Sequence, residues 1–281
     1  MVISYIDWTV NPEIFNAEFT LPLIGEVQLA VRYYGVLFAM GFVLGYYIML
    51  RFFKKEQLDV SLLDQLATYM IVATIIGARL GHVLFYQPDY YFAHPSEILK
   101  IWHGGLASHG AAIGIIIALW MFAKKSKRSF LWTIDRIVVV VALAGALIRT
   151  GNLMNSEIYG KVTDVPWAFV FSVTDRMEVP RHPTQIYEAL AYLATFIFLY
   201  WYYHHKESKP PQGVLLGWFF VFIFGFRFIV EFFKAPQVGF ESDLMLNMGQ
   251  ILSIPFVILG VWLLRLVKNN NVPRFLKKGK A

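Results

Sequence analysis

The chain contains no cysteine, and that absence alone removes three chemistries. It forms no disulfide, ligates no metal through thiolate and attacks no substrate with a thiol of its own, so any thiol chemistry uses a thiol that a substrate brings. Charge is scarce too: Asp, Glu, Lys and Arg make up 16% of the 281 residues, against about 25% in ordinary soluble chains. The N-terminal segment lacks a basic stretch ahead of a short apolar run and lacks a small-residue cleavage site, so it does not read as a signal peptide and is expected to stay in the mature protein. Hydrolase signatures are missing as well. There is no Gly-x-Ser-x-Gly, no His-x-x-x-x-Asp and no His-Glu-x-x-His, and Asp135 is the single candidate for an intramembrane aspartyl protease, which needs two. Neither a metal nor another cofactor is called for.

What is present is apolar surface. Hydrophobic residues reach 57% and aromatic residues 17%, with a mean hydropathy of +0.53. At about 20 residues per crossing, seven apolar runs are long enough to span a bilayer, at roughly 30–50, 64–86, 105–123, 131–148, 184–203, 213–230 and 248–267. The expected fold is therefore an all-α polytopic membrane protein, one integral membrane domain over 1–281 with seven transmembrane helices. Residues at about 149–183 do not span. Their Val/Trp/Phe alternation suggests a small cap with short strands, too short to be a domain of its own.

Basic residues then orient the chain. The segments after spans one, three, five and seven hold fifteen Lys and Arg, including the C-terminal Arg274, Lys277, Lys278 and Lys280; the opposite segments hold six. Because cytoplasmic loops keep Lys and Arg during insertion, the N-terminus is expected outside and the C-terminus inside. The formal charge of +6 is thereby explained by topology, and no nucleic-acid partner is needed.

Four arginines fall within the spans, and each costs about 2.5–3.5 kcal/mol at a helix centre. Arg136, near an inner end, can snorkel to the cytoplasmic interface. Arg32, Arg79, Arg227 and, at the end of span four, Arg149 all lie at the outer ends of different spans, and His109 sits about five residues into span three from the same side. Interfacial anchoring accounts for one or two such groups. Five at one depth point to an anion site at the outer headgroups, where a phospholipid phosphate matches the paired donors of guanidinium.

Polar segments flank these charges. His103-Gly104-Gly105 leads into the span of His109, with glycines that free backbone amides near a helix N-terminus. Arg149, Asn152 and Asn155 stack on one face if helical, and Glu157 and Gly160 follow; the asparagines and the glutamate read equally well as capping and turn residues. His182 precedes span five, in which Glu188 is buried one turn on. Arg227 and Glu231 stand at i, i+4, where a salt bridge within the helix is the plain alternative to a site. On these residues alone an enzyme, an outer-leaflet lipid transporter and a seven-span receptor all remain open.

Six segments in order carry a resemblance over nearly the whole chain: GARLGHVLFY at 77–86, WHGGLASHGAAIG at 102–114, RTGNLMNSEIYG at 149–160, RHPTQIYEA at 181–189, FRFIVEFFKAPQ at 226–237 and MGQILSIP at 248–255. In these the chain resembles the bacterial prolipoprotein diacylglyceryl transferases, whose signature is Arg-x-Gly-Asn-x-x-Asn. The family usually has glycine before that arginine, where Ile148 stands here. The resemblance implies transfer of diacylglyceryl from phosphatidylglycerol to the lipobox cysteine thiol of a signal-peptide-bearing prolipoprotein, in the bacterial inner membrane among its lipids, with loss of glycerol phosphate. It implies Arg149 and Arg227 as headgroup binders and catalytic groups, and His109 as essential, with its role as base left open. Tyr34, Asn152, Asn155, Glu157 and Gly160 are implied as supporting positions. Arg79, His182 and Glu231 join them as expected substrate-binding residues because of their place beside the arginines.

Overall fold

The computed structural model describes residues 5–21, 25–101, 104–235 and 245–273. The expectations for Trp102, His103, Pro236, Gln237 and the basic tail at Arg274, Lys277, Lys278 and Lys280 lie outside the described residues. The chain is helical for most of its length, in the order β1 (Ile6–Asp7), β2 (Glu13–Leu21), β3 (Gly25–Arg32), α1 (Tyr33–Lys55), α2 (Val60–Phe85), α3 (Pro88–Ala93), a short 3-10 helix (Pro95–Leu99), α4 (Ser108–Lys125), α5 (Phe130–Met154), β4 (Phe169–Val170), β5 (Pro180–Arg181), α6 (Thr184–His205), α7 (Val214–Val230) and α8 (Met248–Lys268). A long helix covers each apolar run. By length and composition α1, α2, α5 and α8 are sufficient to cross a bilayer, and α7 is a shorter apolar helix. The protein is a polytopic membrane protein.

Burial follows from that solvent. Ile71, Val72, Ile75, Ile76, Leu80 and Leu84 of α2 are exposed, as are Ile251, Leu252, Ile258 and Trp262 of α8, whereas Gly249, Gln250, Ser253 and Gly260 of α8 are buried. Large apolar side chains turned outward with small and polar ones turned inward is the inverse of a soluble helix, and it suits lipid.

Two compact units are distinguished along the chain, Met1–Ile48 with Ile137–Asn271, and Met49–Arg136 with Val272–Ala281. In the first, α6 and α7 pack together, and α7 meets α8. Gly217 and Gly260 let the α7 and α8 backbones approach: a Cβ on Gly260 would lie 2.8 Å from the Gly217 carbonyl oxygen. β1 runs parallel to β4, and β4 antiparallel to β5. Trp8, Tyr159 and Ile186 pack around the buried Leu153, Phe169 and Phe171 beside these strands, and Trp8 Nε1 donates to the Leu153 carbonyl at 3.0 Å. Strands thus occur within 149–183, as the alternation suggests.

In the second unit α2 and α4 are joined by four glycines. Gly77 and Gly81 face Gly110 and Gly114, spaced i, i+4 on each helix, and a Cβ on any of them would strike backbone of the other helix. Such small-residue seams let membrane helices gain packing and backbone contact where the hydrophobic effect supplies none. Asp59 caps α2, accepting from the Ser61 amide at 2.9 Å.

Three features depart from the sequence reading. Residues 30–32 are not the start of a helix: Arg32 ends β3 of an antiparallel hairpin with β2, and its exposed guanidinium pairs with Glu13 at 3.2 Å. Helix α5 continues to Met154, past the end of the apolar run at 148, so Arg149 and Asn152 lie on helix, one of the two readings open for that segment. Arg136 is 3% exposed; instead of snorkelling to water it reaches Glu56 at 3.1 Å and stacks on Trp132. An ionic partner in the α1–α2 loop supplies what solvent would have.

Candidate active site

The first unit holds an ionic chain that runs across α5, α6, α7 and the turn that follows α7. Arg149 of α5 places Nε 3.1 Å from Glu188 Oε2 of α6, and Glu188 Oε1 accepts from Lys234 Nζ at 3.1 Å. Lys234 also donates to Glu231 Oε1 at 3.0 Å, and Arg227 Nε of α7 lies 3.6 Å from that same oxygen. Glu188 is 0% exposed, and Lys234 and Glu231 are under one-tenth exposed. In these five residues three cations share two carboxylates, so one positive charge is left over. The ends of the chain are its open parts, with the Arg227 side chain 33% exposed. Arg227 Nε is nonetheless buried and makes no hydrogen bond, its distance to Glu231 being too long.

Each member is placed by local chemistry. Glu231 is fixed from the α8 side, where Asn247 Nδ2 donates to Glu231 Oε2 at 3.1 Å while the Asn247 Oδ1 caps α8 through the Gln250 amide. Gly249 has no room for a Cβ because the Glu231 carboxylate occupies that space. Gly160 is a meeting point of backbones: it bridges to Lys234, its amide donates to the His182 carbonyl at 2.8 Å, and a Cβ there would lie 2.6 Å from the Phe233 carbonyl oxygen. Gly160 therefore seats Lys234.

On the other flank, Arg149 Nη1 donates to Asn152 Oδ1 at 3.3 Å, and the Nδ2 groups of Asn152 and Asn155 both donate to Glu157 Oε1, at 2.7 and 3.2 Å. Asn155 Oδ1 is buried with no hydrogen-bond partner. Glu157 is presented by a strained turn, since its neighbours Ser156 and Ile158 have φ of 52° and 59°. A β-branched residue rarely adopts that conformation; here Thr184 Oγ1 holds the Ile158 carbonyl and Gln185 Nε2 the Glu157 carbonyl. Tyr34, in the first turn of α1, packs on Gly151, where an added Cβ would lie 2.8 Å from Tyr34 Cδ2. His182 Nδ1 meets the Tyr187 hydroxyl at 3.1 Å, its ring packs edge-on to Phe233, and burial lowers its pKa below the usual histidine value.

Arg149, Arg227, Tyr34, Asn152, Asn155, Glu157, Gly160, His182 and Glu231 thus share one compact unit. Glu188 and Lys234 complete their ionic chain, and sequence reasoning passed over both as site residues. Glu188 showed as a buried carboxylate in an apolar helix; Lys234 lies at i+3 from Glu231, a spacing that signals the pair on a helix.

Arg79 and His109 belong to the other unit. Arg79 is 4% exposed, and its five N–H donors meet five backbone carbonyls, those of Glu97, Ile98, Lys100, Gly104 and Gly105, at 2.5–3.3 Å. His109 lies exposed in the first turn of α4, which begins later than the apolar run, and its ring stands 6.4 Å from that of Tyr86. Among the described residues no three His, Asp or Glu side chains are grouped to hold a metal ion.

The family model for prolipoprotein diacylglyceryl transferase matches residues 22–266. The chain belongs to that family. Among its relatives, the phosphatidylglycerol–prolipoprotein diacylglyceryl transferase of Tolumonas auensis is 46% identical over 253 residues, 90% of this chain and 96% of its own. The enzyme of the same name from Chloroherpeton thalassium is 45% identical, over 93% and 94% of the two chains. That from Porphyromonas gingivalis is 44% identical over 95% and 96%. Diacylglyceryl transferase membership fits a chain with no cysteine of its own and with arginines near the ends of α5 and α7.

Proposed function

We propose that this chain transfers the diacylglyceryl group of phosphatidylglycerol to the lipobox cysteine of a signal-peptide-bearing prolipoprotein, in a bacterial inner membrane. The observation that carries the chemistry is the buried Arg227 Nε left without a hydrogen bond, beside an ionic chain with one cation in excess. A buried donor without a partner costs about 1–3 kcal/mol, and an entering anion removes that cost. Phosphatidylglycerol is a phosphodiester with one negative charge. Arg149 and Arg227 hold that phosphate through their remaining donors, with Glu188, Lys234 and Glu231 keeping both guanidiniums oriented.

The substrate cysteine sulfur attacks the glyceryl carbon bonded to phosphate oxygen. A C–S bond forms, the C–O bond breaks with its electron pair going to the oxygen, and glycerol phosphate leaves. Charge on the departing phosphate grows during this step, and donors aimed at it stabilise the transition state more than the ground state. The thiol, of ordinary pKa near 8.5, either gives its proton to His109 or ionises under the stabilising charge of Arg149. Tyr34, Asn152, Asn155, Glu157 and Gly160 support the Arg149 side, and His182 with Glu231 the Lys234 side.

Seven helices span the bilayer as one membrane domain, with the N-terminus outside, the C-terminus inside, and residues at about 149–183 forming a cap on the outer face. This topology is motivated by the distribution of Lys and Arg. A reporter fused after Ala281 is expected to be active only in the cytoplasm; activity only outside would overturn the orientation. For the activity, purified protein incubated with phosphatidylglycerol and a lipobox peptide should yield a peptide heavier by one diacylglyceryl group. Unmodified peptide from protein that is folded and lipid-embedded would refute the proposal.

A further inference from the structure

Arg79, His82 and Tyr86, three polar residues of the segment GARLGHVLFY, take no part in the proposed chemistry. Arg79 and His82 lie on α2 and Tyr86 at its C-cap, at intervals of three and four residues along one stripe. Arg79 stands where a lipid ligand would be expected, yet its guanidinium has nothing left to offer. Nε donates to Ile98 O at 2.8 Å, Nη1 to Gly104 O and Gly105 O at 2.6 and 3.2 Å, and Nη2 to Glu97 O and Lys100 O at 2.5 and 3.3 Å. Guanidinium has five N–H donors, and here five carbonyls take them. Its plane also stacks 4.8 Å from the Tyr91 ring centre. The cleft of about 550 Å³ that Arg79 borders is lined by Glu97, which pairs with Lys100 at 2.6 Å, and by Asp89, whose negative charge opposes a phosphate.

The carbonyls that Arg79 gathers belong to the segment leading into α4. Gly104 and Gly105 in that segment adopt φ of 83° and 72°, a region open to glycine. Gly105 sits so close over α2 that an added Cβ would lie 2.7 Å from His82 and 2.8 Å from Arg79 Nη1. His82 stacks on Tyr86, with ring centres 5.6 Å apart and planes 12° apart, and Tyr86 stands beside His109. The Ala107 amide, immediately before α4, donates to Ala78 O at 2.9 Å. Backbone and rings thus both lead from Arg79 to the first turn of α4.

We propose that Arg79 is a positioning residue: with Gly105, His82 and Tyr86 it locks residues 97–101 and 104–107 onto α2 and so sets the place of His109, without touching the lipid. The link to His109 rests on the proposed function above; the lock itself does not. Lys100 supplies a test, since trypsin cleaves after lysine and the Lys100 carbonyl is one that Arg79 holds.

Arg79→Ala, Arg79→Lys and Gly105→Ala proteins in lipid nanodiscs are compared with wild type for tryptic cleavage after Lys100 and for transfer kinetics. Arg79→Ala and Gly105→Ala, which break the lock from opposite sides, should each speed cleavage about tenfold or more, because cleavage follows the population of the open segment. Arg79→Lys, with three donors in place of five, should fall between. In all three kcat should fall while KM for phosphatidylglycerol stays within about twofold, as for loss of an arrangement needed only in the transition state. Cleavage unchanged in both Arg79→Lys and Gly105→Ala would overturn the lock, as would a raised KM with kcat intact, which marks a lipid ligand. Should Arg79→Ala fail to insert, the other two variants decide. Wild-type protein that transfers no lipid would refute the proposed function, and the cleavage rates would still decide the lock.

Discussion

Arg79 on the one hand and Arg149 and Arg227 on the other stand near the ends of apolar helices, and their surroundings separate them. Arg79 is satisfied by five neutral carbonyls of its own unit. Arg149 and Arg227 are held by carboxylates that each share with Lys234, and Arg227 keeps a buried nitrogen without a hydrogen bond. All three look alike in a hydropathy plot, as a cation near the end of an apolar helix. The difference is saturation. A guanidinium whose donors are spent on backbone is a strut, whereas one oriented by anions with donors unspent is poised for another anion.

The sharpest way to break this comparison is to remove each arginine in turn. Arg149→Ala is expected to lower transfer by about 10³-fold or more, the scale of losing a donor aimed at developing charge, in protein that still inserts. Arg149→Lys should recover little, because one ammonium does not reproduce paired donors. Single-turnover transfer assays measure both. Near-wild-type turnover in Arg149→Ala would place it with Arg79 among the struts. A smaller loss, at least about 10²-fold, is expected for His109→Gln with lipid binding retained. Raising the pH toward the thiol pKa should then restore part of the rate, because the substrate ionises unaided. No such recovery between about pH 6 and 9 would mean that His109 orients substrate and takes no proton.

Much of this was legible in residue order. Among the described residues a long helix lies on each apolar run because lipid-facing helices need continuous apolar length, and the polar segments marked Arg149, Asn152, Glu157 and Arg227 as candidates. Pairing was not legible. Glu188 and Lys234 are 46 residues apart, and no local spacing predicts that contact. Arg79 looked like a ligand because its partners are carbonyls, which every residue has and no sequence advertises. Arg32 was read into a helix because an apolar run begins at about residue 30, whereas residues 30–32 belong to a strand that pairs with β2.

The ionic chain makes its own prediction. Glu188→Gln leaves Lys234 and Arg149 each short of a carboxylate in a buried place, and removing one partner of a buried pair costs about 3–5 kcal/mol. Pairing it with Lys234→Met should cost less than the two single changes added together, as a thermal-unfolding double-mutant cycle in detergent would record. Strict additivity would mean the contact carries no coupling. In the other unit the glycine seam is expected to be softer: Gly110→Ala forces a Cβ onto the Gly77 carbonyl and the Gly81 backbone, an overpacking worth about 1–3 kcal/mol. A variant as stable as wild type would show that α2 and α4 separate freely.

The smallest effect is expected beside the strands, and it depends on pH. Asp175 meets Arg181 Nε at 2.5 Å and Nη2 at 3.1 Å, joining the turn after β4 to β5. Those hydrogen bonds hold the Asp175 carboxyl below the usual carboxylate range despite its burial. A depressed carboxylate pKa contributes stability that is fully present above the unfolded value, near about 3.9, and is lost as pH falls through the folded value. His182 acts in a higher window. Burial lowers its pKa, so the unfolded chain binds the proton more readily and stability declines as pH falls through the ordinary histidine value near about 6.5. Wild-type protein should therefore lose stability in two separate steps on acidification, one near about pH 6 and one below about pH 4. Asp175→Asn should delete the lower step and leave the upper, and His182→Gln the reverse. Amide hydrogen exchange at Val170 and Arg181, followed from about pH 7 to about pH 3, reads both, and a single step removed by neither substitution would show that the strands are held by the Trp8, Phe169 and Phe171 packing alone.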